Sequence, residues 1–158
     1  MKKFKKEGKN IKLLLVGRFE SELDPLDADN EEFLRTNENV CFVGYQSDVR
    51  PFFVAADVLV FPSYREGFPN VVLQAGAMGI PSIVTDINGC NEIIKEDLNG
   101  KIFPPKDADA LFREMEWCID NKNHIKVMAL QSRKVIVDKF RQEEVWEATL
   151  KEYRKLEN

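Results

Sequence analysis

The sequence predicts an α/β fold of the doubly wound kind, with about five strands in a mostly parallel sheet followed by a C-terminal helical unit. Short aliphatic runs recur along the chain, and most of them end at a glycine or a proline, which is typical of strands that lead into turns. Three of the runs show no polar alternation, as expected for strands covered on both faces. Helical segments occupy the intervals, and this order favours parallel strands joined by helical crossovers.

The predicted strands are the aliphatic runs Ile11–Val16, Val40–Val43, Val58–Phe61, Ser82–Thr85 and Lys101–Phe103. A helix between the first two strands is predicted to begin with Asp24 as its N-cap and Pro25 at position N1. After Pro105 the pattern is helical only, and Asp107 is the predicted N-cap of the next helix. Three helices are expected to pack there as a C-terminal unit.

The last predicted helix has an apolar stripe on one side and charges on the other. Its stripe consists of Trp146, Leu150 and Tyr153. Glu147 and Lys151 stand four residues apart, which predicts an ion pair on the solvated face. We therefore expect this helix to pack through its stripe and to expose its charges.

Composition limits the classes of function. The chain has 158 residues, of which 44% are hydrophobic and 32% are charged, and this supplies enough apolar surface for the core of a single domain. No apolar run approaches the roughly 18 residues of a membrane-spanning helix, so we expect a cytoplasmic protein without a transmembrane segment. Cys41, Cys90 and Cys118 are widely spaced and odd in number, which disfavours a disulfide framework or a paired-cysteine metal site. No metal is expected.

The charge distribution argues against nucleic acid as a partner. The net charge is −4, and five lysines with one glutamate make residues 1–10 basic, which leaves −8 on the rest of the chain. An acidic body is unsuited to nonspecific binding of a polyanion. The basic residues 1–10 are expected to be flexible.

The most informative segment is residues 61–81, which read FPSYREGFPNVVLQAGAMGIP. The pattern predicts a strand, a polar loop and a helix, so the loop should lie at the carboxyl edge of the sheet, where open α/β sheets bind ligands. Pro69 is predicted at helix position N1, which would leave the following amides free to face an anion such as a phosphate. The alternative is that Gly67 and Pro69 only shape the turn.

The helix after this loop is expected to be buried nearly all round. From Val71 to Ile80 every residue except Gln74 is apolar or glycine. A buried amide without hydrogen bonds costs about 1–3 kcal/mol, so Gln74 should bond either neighbouring backbone or a polar ligand. Glu66 stands in the loop that faces the helix N-terminus, where it is either a solvated carboxylate or a ligand group.

Motifs inside and beyond this segment resemble one family. They are DVLVFP at 57–62, Ser63, Glu66-Gly67-Phe68, LQAGAMGIPSIVTD at 73–86, Asn91-Glu92-Ile93-Ile94, and Asn99-Gly100 followed by Pro104-Pro105 and Asp107. Together they resemble the nucleotide-binding half of family 4 glycosyltransferases of the GT-B fold, which is Rossmann-like, and the resemblance covers nearly the whole chain. The family pattern is an acid, seven residues and a second acid, to which Glu66 and Gln74 correspond.

The resemblance implies a role for each residue of the loop. Glu66 is implied as the catalytic residue that contacts hydroxyls of the donor sugar near the reacting carbon. The donor diphosphate and sugar are then bound by Gly67, Phe68, Pro69 and Asn70. Gln74 is implied to hold the ribose, since a glutamine amide keeps an acceptor and adds donors. The base is implied to lie against Tyr45, Gln46, Ser47 and Asp48.

The implied function is that of the donor-binding portion of a retaining, metal-independent glycosyltransferase. Such an enzyme moves a sugar from a nucleoside-diphosphate sugar to a glycan or lipid-linked acceptor, and no cofactor besides the donor is implied. Residues 1–158 are interpreted as a single nucleotide-sugar-binding domain, the C-terminal half of such an enzyme. The first strand and helix of that half, its phosphate-clamping arginine and lysine, and the N-terminal acceptor domain are expected to be missing.

Three consequences follow for partners and location. This chain alone is expected to be inactive, because the acceptor half of the cleft is missing. Exposed surface that normally meets the missing domain, including Trp146, is expected to favour self-association. The full-length enzyme is expected to be cytoplasmic and peripheral to the inner face of a membrane.

Two other classes of protein fit the same fold. A noncatalytic α/β signalling module, such as a response-regulator receiver, requires an aspartate that closes a strand, whereas Asp57 opens one. A sugar-nucleotide epimerase of the same architecture is expected to lack the loop acid that Glu66 supplies. One fold serves many substrates, so the donor sugar, the base and the acceptor are left open.

Overall fold

The computed structural model describes residues 1–19, 22 and 25–156. The chain forms two compact units, Met1–Ala55 and Ala56–Asn158. Among the described residues, no helix has both the length and the apolar character needed to cross a bilayer.

The first unit is built on a two-stranded parallel sheet. Strand β1 (Leu13–Val16) pairs with strand β2 (Val40–Gly44). Its helices are α1 (Lys2–Lys6), α2 (Ala28–Thr36) and α3 (Arg50–Val54). Within the basic segment 1–10, the side chain of Phe4 is only 1% exposed, and Lys2 Nζ donates a hydrogen bond to Asn30 Oδ1 of α2 at 2.9 Å.

Helix α2 begins three residues later than predicted. Its N-cap is Asp27, whose side chain accepts a hydrogen bond from the Asn30 amide at 2.9 Å, and Pro25 precedes the helix. The predicted N-cap, Asp24, lies outside the described residues. Two aspartates three positions apart both satisfy the N-cap pattern, so the sequence pattern alone does not select between them.

The second unit is built on a three-stranded parallel sheet. Strands β3 (Leu59–Phe61), β4 (Ser82–Thr85) and β5 (Gly100–Phe103) lie in that order. Ile83 of the central strand stands opposite Val60 on one side and Lys101 on the other. The five predicted strands are confirmed, and all their pairings are parallel, although they fall into two sheets.

Helices cover both faces of the three-stranded sheet, as a doubly wound fold requires. The helices of this unit are α4 (Asn70–Ala77), α5 (Cys90–Ile93), α6 (Ala108–Asp120), α7 (Lys122–Lys139) and α8 (Gln142–Leu156). Val84 belongs to a core cluster with Val72 of α4. Its neighbour Ile83 belongs to another cluster with Ala110 of α6. Since adjacent strand residues point to opposite faces, α4 and α6 cover opposite sides of β4.

The predicted cap of α6 is confirmed. The Asp107 side chain accepts a hydrogen bond from the Ala110 amide at 2.8 Å. This bond satisfies one of the amides that a helix start leaves without an intrahelical acceptor.

A buried lysine joins β5 to α6. Lys101 Nζ lies 2.8 Å from Glu96 Oε1, 2.7 Å from Asp97 Oδ1 and 3.6 Å from Glu114 Oε2. It also lies 4.4 Å from the centroid of the Trp117 ring. Burial by itself lowers the pKa of Lys101, but the hydrogen bonds to Asp97 and Glu96 and the nearby negative charges outweigh it, and the pKa rises. The ammonium is therefore held in its charged form.

The expected packing of the last helix with the other two is wrong, whereas the expected exposure of Trp146 is confirmed. Helix α8 forms, but none of its residues is buried, and Trp146 and Tyr153 of its apolar stripe are 59% and 63% exposed. The predicted pair of Glu147 and Lys151 is not among the ion pairs of the described residues. The spacing of the apolar residues thus predicted the helix correctly, but it did not predict that the apolar stripe is exposed to solvent.

Replacing Gly100 with alanine is expected to destabilise the second unit. A Cβ at this position would overlap the Ser82 carbonyl oxygen and lie 2.9 Å from Ile94 Cγ2. We expect the free energy of unfolding to fall by about 1–3 kcal/mol, as in other overpacked sites. Urea unfolding followed by circular dichroism measures the change.

Gly67→Ala is the matched control, because nothing lies within 4 Å of a Cβ built there. Its free energy of unfolding should change by less than about 0.5 kcal/mol. Equal stability of the two variants would show that β4 and β5 can separate to admit a methyl group.

Candidate functional site

The carboxyl ends of β3, β4 and β5 lie at one edge of their sheet, since the three strands are parallel. The β3–α4 loop (residues 62–69) therefore shares this edge with the loops that follow β4 and β5. Lys106 Nζ, after β5, lies 5.9 Å from the centroid of the Tyr64 ring in the β3–α4 loop. The loop that carries Glu66 is at the edge where ligands bind in such sheets.

Glu66 is held by a neighbour in its own loop. Its Oε1 atom accepts a hydrogen bond from Ser63 Oγ at 2.7 Å, and the Glu66 side chain is half-buried. A hydrogen bond to a carboxylate is stronger than one between neutral groups, so it fixes the direction of this side chain. Ser63 stands within the motif that carries the resemblance, but sequence reasoning assigned it no role.

The loop after β4 closes directly on the β3–α4 loop. A Cβ built at Gly89 would lie 2.5 Å from the Gly67 carbonyl oxygen and 3.1 Å from Pro69 Cδ. Gly89 also has φ +80°, a conformation that glycine adopts without strain. Sequence reasoning missed this residue, although a glycine behind the turn formers Asp86 and Asn88 is a recognisable turn pattern.

The buried thiol of Cys90 lies at the start of α5, next to Gly89. Burial raises the pKa of Cys90 to about 11, and the negative charge of Glu66 adds to the effect. The negative charge of Glu66, in the β3–α4 loop, thus acts on the thiol of Cys90, which follows the loop after β4.

Helix α4 begins one residue later than predicted. Pro69 is its N-cap, with φ −76° and ψ 105°, and no side chain caps the helix. The first intrahelical bonds run from the Val72 and Leu73 amides to the Pro69 carbonyl oxygen, at 3.1 Å and 3.3 Å. The amides of Asn70 and Val71 therefore have no intrahelical acceptor, and the helix dipole favours an anion beside them by about 0.3–1 kcal/mol at an exposed site.

The expectation that Gln74 is buried is wrong. Gln74 and Asn70 are both exposed and lie one turn apart on α4, whereas Val72, Ala75 and Gly76 are buried. Small residues such as alanine and glycine are compatible with either environment, so an apolar run of this composition does not define which face is covered. The cost of an unsatisfied buried amide does not apply here. Gln74 is instead accessible from solvent.

The remaining loop residues differ in their surroundings. Gly67 is exposed, and Pro69 is buried. The ring of Phe68 is 43% exposed, and its centroid lies 5.6 Å from that of Phe140 at the end of α7. The structure thus brings Glu66, the exposed residue Gly67 and the start of α4 together, while the ring of Phe68 lies beside that of Phe140 at the end of α7.

The loop after β2 belongs to the first unit. Tyr45 is 64% exposed, and the guanidinium carbon of Arg18 lies 4.8 Å from its ring centroid. Gln46 Nε2 donates a hydrogen bond to the Val43 carbonyl oxygen at 2.8 Å.

The end of this loop is held by an ion pair. Asp48 Oδ1 lies 2.8 Å from Arg50 Nε. The hydrogen bonds from Arg50 lower the pKa of Asp48 to about 2. Of the four predicted base contacts, Tyr45 and Ser47 thus have exposed side chains that are not engaged within the loop, while Gln46 and Asp48 are engaged. The base-binding role of the four residues stays a prediction.

In the part of the chain that the structure describes, no group of three or more histidine, cysteine, aspartate or glutamate side chains is placed to hold a metal ion. His124 is exposed at the start of α7, with its ring centroid 5.1 Å from that of Trp117.

The three cysteines are expected to differ sharply in reactivity. Cys41 is exposed, whereas Cys90 and Cys118 are buried, and burial raises the pKa of each buried thiol to about 11. Because the thiolate is the nucleophile, an aromatic disulfide reagent at about pH 8 should modify one thiol rapidly in the folded protein and all three in guanidinium chloride. Cys41→Ser should abolish the rapid phase. Rapid modification of a second thiol would show that the reagent reaches a cysteine that is buried in the structure, either Cys90 at the start of α5 or Cys118 in α6.

Comparison with known proteins gives one consistent result. The sequence model of the family described as "Glycosyl transferases group 1" matches residues 1–121. The chain is 32% identical over 141 residues to the capsular polysaccharide biosynthesis glycosyltransferase CapM of Staphylococcus aureus, covering 89% of this chain and 37% of CapM.

Two solved structures are similar over most of the chain. Sucrose-phosphate synthase from Thermosynechococcus elongatus matches with 27% identity and a TM-score of 0.80, covering 92% of this chain and 38% of that one. Anabaena Alr3699/HepE in complex with UDP matches with 20% identity and a TM-score of 0.78, covering 89% and 41%. This chain thus spans about two fifths of the length of these relatives. The resemblance found in the sequence is confirmed, and the chain belongs to the group 1 glycosyltransferase family.

Proposed function

We propose that this chain is the donor-binding part of a retaining, metal-independent glycosyltransferase that uses a nucleoside-diphosphate sugar. The observation that carries the proposal is the position of the Glu66 carboxylate, held by Ser63 in the loop that leads into the uncapped start of α4. A fixed acceptor beside free amides suits a ligand that has both hydroxyls and a diphosphate. The Anabaena protein was solved in complex with UDP, which supports a ligand of this class.

In this proposal the amides at the start of α4 receive the diphosphate. The Asn70 and Val71 amides have no intrahelical acceptor, and the exposed Gly67 lets the backbone approach the ligand closely. As the sugar leaves, negative charge grows on the diphosphate, and these fixed dipoles stabilise it without a metal ion. No cofactor other than the donor takes part.

Glu66 contacts the sugar. Ser63 Oγ occupies its Oε1 atom, which leaves Oε2 to accept a hydrogen bond from a sugar hydroxyl. Because Ser63 already sets the orientation of the carboxylate, a sugar that binds to it does not have to order this side chain.

Gln74 binds the ribose. Its exposed amide lies one turn beyond Asn70 on α4, and it can both donate to and accept from hydroxyls. A neutral amide at this position avoids the repulsion that a second carboxylate would exert on the diphosphate.

This chain matches only 37% of the length of CapM. In this proposal the acceptor is bound by a part of the parent protein that lies outside this chain. We propose a glycan or lipid-linked acceptor, in keeping with the capsular polysaccharide named for that relative. The parent would then work in the cytoplasm, at the membrane face where lipid-linked acceptors are presented.

Glu66→Ala is expected to abolish the preference for sugar nucleotides over bare nucleoside diphosphates. The carboxylate reaches sugar hydroxyls, whereas the amides reach phosphate, so affinity for the bare diphosphate should change by less than about twofold. Calorimetric titration with UDP, GDP and ADP and their sugar conjugates measures both quantities. Gln74→Ala should weaken both kinds of ligand, because both contain the ribose.

Glu32→Ala is the matched control, because Glu32 is an exposed carboxylate on α2. It should leave every affinity unchanged. Equal loss of affinity for nucleotide and sugar nucleotide in Glu66→Ala would assign Glu66 a structural role and contradict the proposed contact with the sugar.

This chain alone is expected not to transfer sugar. Holding donor and acceptor together in one cleft contributes about 7–11 kcal/mol to such reactions, and the acceptor part lies outside the chain. Donor affinity should also be poor, on the order of millimolar, or about −4 kcal/mol. Assays of transfer and of donor hydrolysis, with magnesium and with a chelator, test the prediction.

The same assay with the rest of the parent protein added separately should restore transfer, equally with the chelator and with magnesium. Turnover by this chain alone would contradict the two-part mechanism. Turnover that requires magnesium would contradict the metal-independent one.

A further inference from the structure

Positive and negative side chains at the carboxyl edge of the second unit do not pair with each other. The loops that follow β3, β4 and β5 are residues 62–69, 86–89 and 104–107, and each contains one carboxylate. The cations of these loops are Arg65 and Lys106. Neither cation forms an ion pair with a carboxylate of the described residues.

Each of the three carboxylates accepts a hydrogen bond from an uncharged donor instead. The bonds run from Ser63 Oγ to Glu66 at 2.7 Å, from Asn91 Nδ2 to Asp86 at 3.0 Å, and from the Ala110 amide to Asp107 at 2.8 Å. These acids therefore do not compete with an external anion for Arg65 and Lys106. The edge keeps two positive charges on a chain whose net charge is −4, and such charges attract anionic ligands.

The side chain of Lys106 reaches past the end of the central strand. Lys106 follows β5, yet its Nζ atom lies 5.9 Å from the ring centroid of Tyr64, which follows β3, and β4 lies between these two strands. A cation at this distance from an aromatic face is attracted to it. The contact thus holds the ammonium beside the loop that carries Arg65, next to Tyr64 in the sequence.

The backbone of Lys106 is unusual for its residue type. Its φ is +61°, in the left-handed region that glycine adopts freely and that a residue with a Cβ adopts at a cost in free energy. Residues in such conformations cluster at binding sites, where the side chain is needed in spite of the strain. Glycine would form this turn with less strain, so the turn itself does not explain a lysine at this position.

Lys106 and the start of α4 belong to opposite sides of the sheet. Lys106 leads through the cap residue Asp107 into α6, which covers the face of β4 that carries Ile83. Helix α4 covers the face that carries Val84. In the proposed function the donor diphosphate occupies the start of α4, so an anion held by Lys106 is a second group.

We propose that Arg65 and Lys106 form a second anion site, which binds a phosphate or diphosphate group of the acceptor. The site rests on the proposed function, because that function assigns the start of α4 to the donor. The guanidinium of Arg65 can bind two phosphate oxygens at once, and the ammonium of Lys106 adds a point charge. The ring of Tyr64 positions the ammonium and does not itself bind the anion.

NMR titration of the isotope-labelled full chain with inorganic pyrophosphate tests the site, at low salt so that surface charges are weakly screened. Pyrophosphate is expected to bind equally well with and without UDP at about 20 mM, because the two ligands occupy different sites. Lys106→Ala and Arg65→Ala should each raise the dissociation constant of pyrophosphate by about fivefold or more. The matched control is Lys126→Ala, which removes an exposed cation from α7 and should leave the constant unchanged.

Lys106→Gly separates binding from folding. It removes the same charge as Lys106→Ala, so it should cause the same loss of pyrophosphate affinity. Because glycine adopts a positive φ without strain, the midpoint of urea unfolding should not fall below that of the unaltered chain. A fall in the midpoint together with the loss of affinity would assign Lys106 a structural role and would overturn the proposal.

A short isoprenyl diphosphate that is soluble in water, geranyl diphosphate, distinguishes the acceptor from the donor. Lys106→Ala should weaken its binding as it weakens that of pyrophosphate, while the affinity for UDP should change by less than about twofold. Displacement of pyrophosphate by UDP, or an equal loss of UDP affinity in Lys106→Ala, would assign the cations to the donor diphosphate and overturn the second site.

Equal effects of Lys126→Ala and Lys106→Ala would show that pyrophosphate binds to surface charge in general, and this too would overturn the proposal. Absence of pyrophosphate binding up to about 50 mM would do the same. Failure of UDP to bind would contradict the proposed function alone, because the comparison of Lys106→Ala with Lys126→Ala uses pyrophosphate and does not require UDP.

Discussion

The burial of β4 on both faces is the constraint on which the second unit depends. All four of its residues, Ser82–Thr85, are buried, so neither face of the sheet can be left to solvent. Helices must return on both sides, and a helix that joins two neighbouring strands from one side makes those strands parallel. Parallel strands place all their carboxyl ends at one edge. The position of the candidate site thus follows from the burial of a strand that contributes no residue to it.

Close packing between loops then fixes the local geometry at that edge. Gly89 approaches the Gly67 carbonyl oxygen so closely that no side chain fits between them, and Ser63 holds Glu66 from within the β3–α4 loop. The conformation of this loop is therefore determined partly by residues about 20 positions further along the chain. A site made in this way is more rigid than a polar loop of its length would be alone.

The sequence was sufficient for features that depend on local pattern. All five strands and the Asp107 cap were predicted, because aliphatic runs and N-caps are properties of a few adjacent residues. The exposure of Gln74 was not predicted, since its apolar neighbours are too small to define a buried face, and neither was the contact at Gly89, which is tertiary. No sequence pattern distinguished Asp27, the N-cap of α2, from the predicted N-cap Asp24. The exposure of Trp146 was expected, but the exposure of the whole apolar stripe of α8 could not be predicted, because an amphipathic period does not reveal what covers the apolar side.

The ion-paired Lys101 has an optical consequence. Its ammonium lies 4.4 Å from the ring centroid of Trp117, a half-buried residue of the α6 core, whereas Trp146 on α8 is 59% exposed. The chain has two tryptophans, and they differ in their exposure to water, so their emission spectra should be separated in wavelength. Loss of the Lys101 cluster would change only the short-wavelength emission of Trp117. Covering of α8 would change only the long-wavelength emission of Trp146. Intrinsic fluorescence can therefore follow the core and the last helix independently in one sample, without an added label.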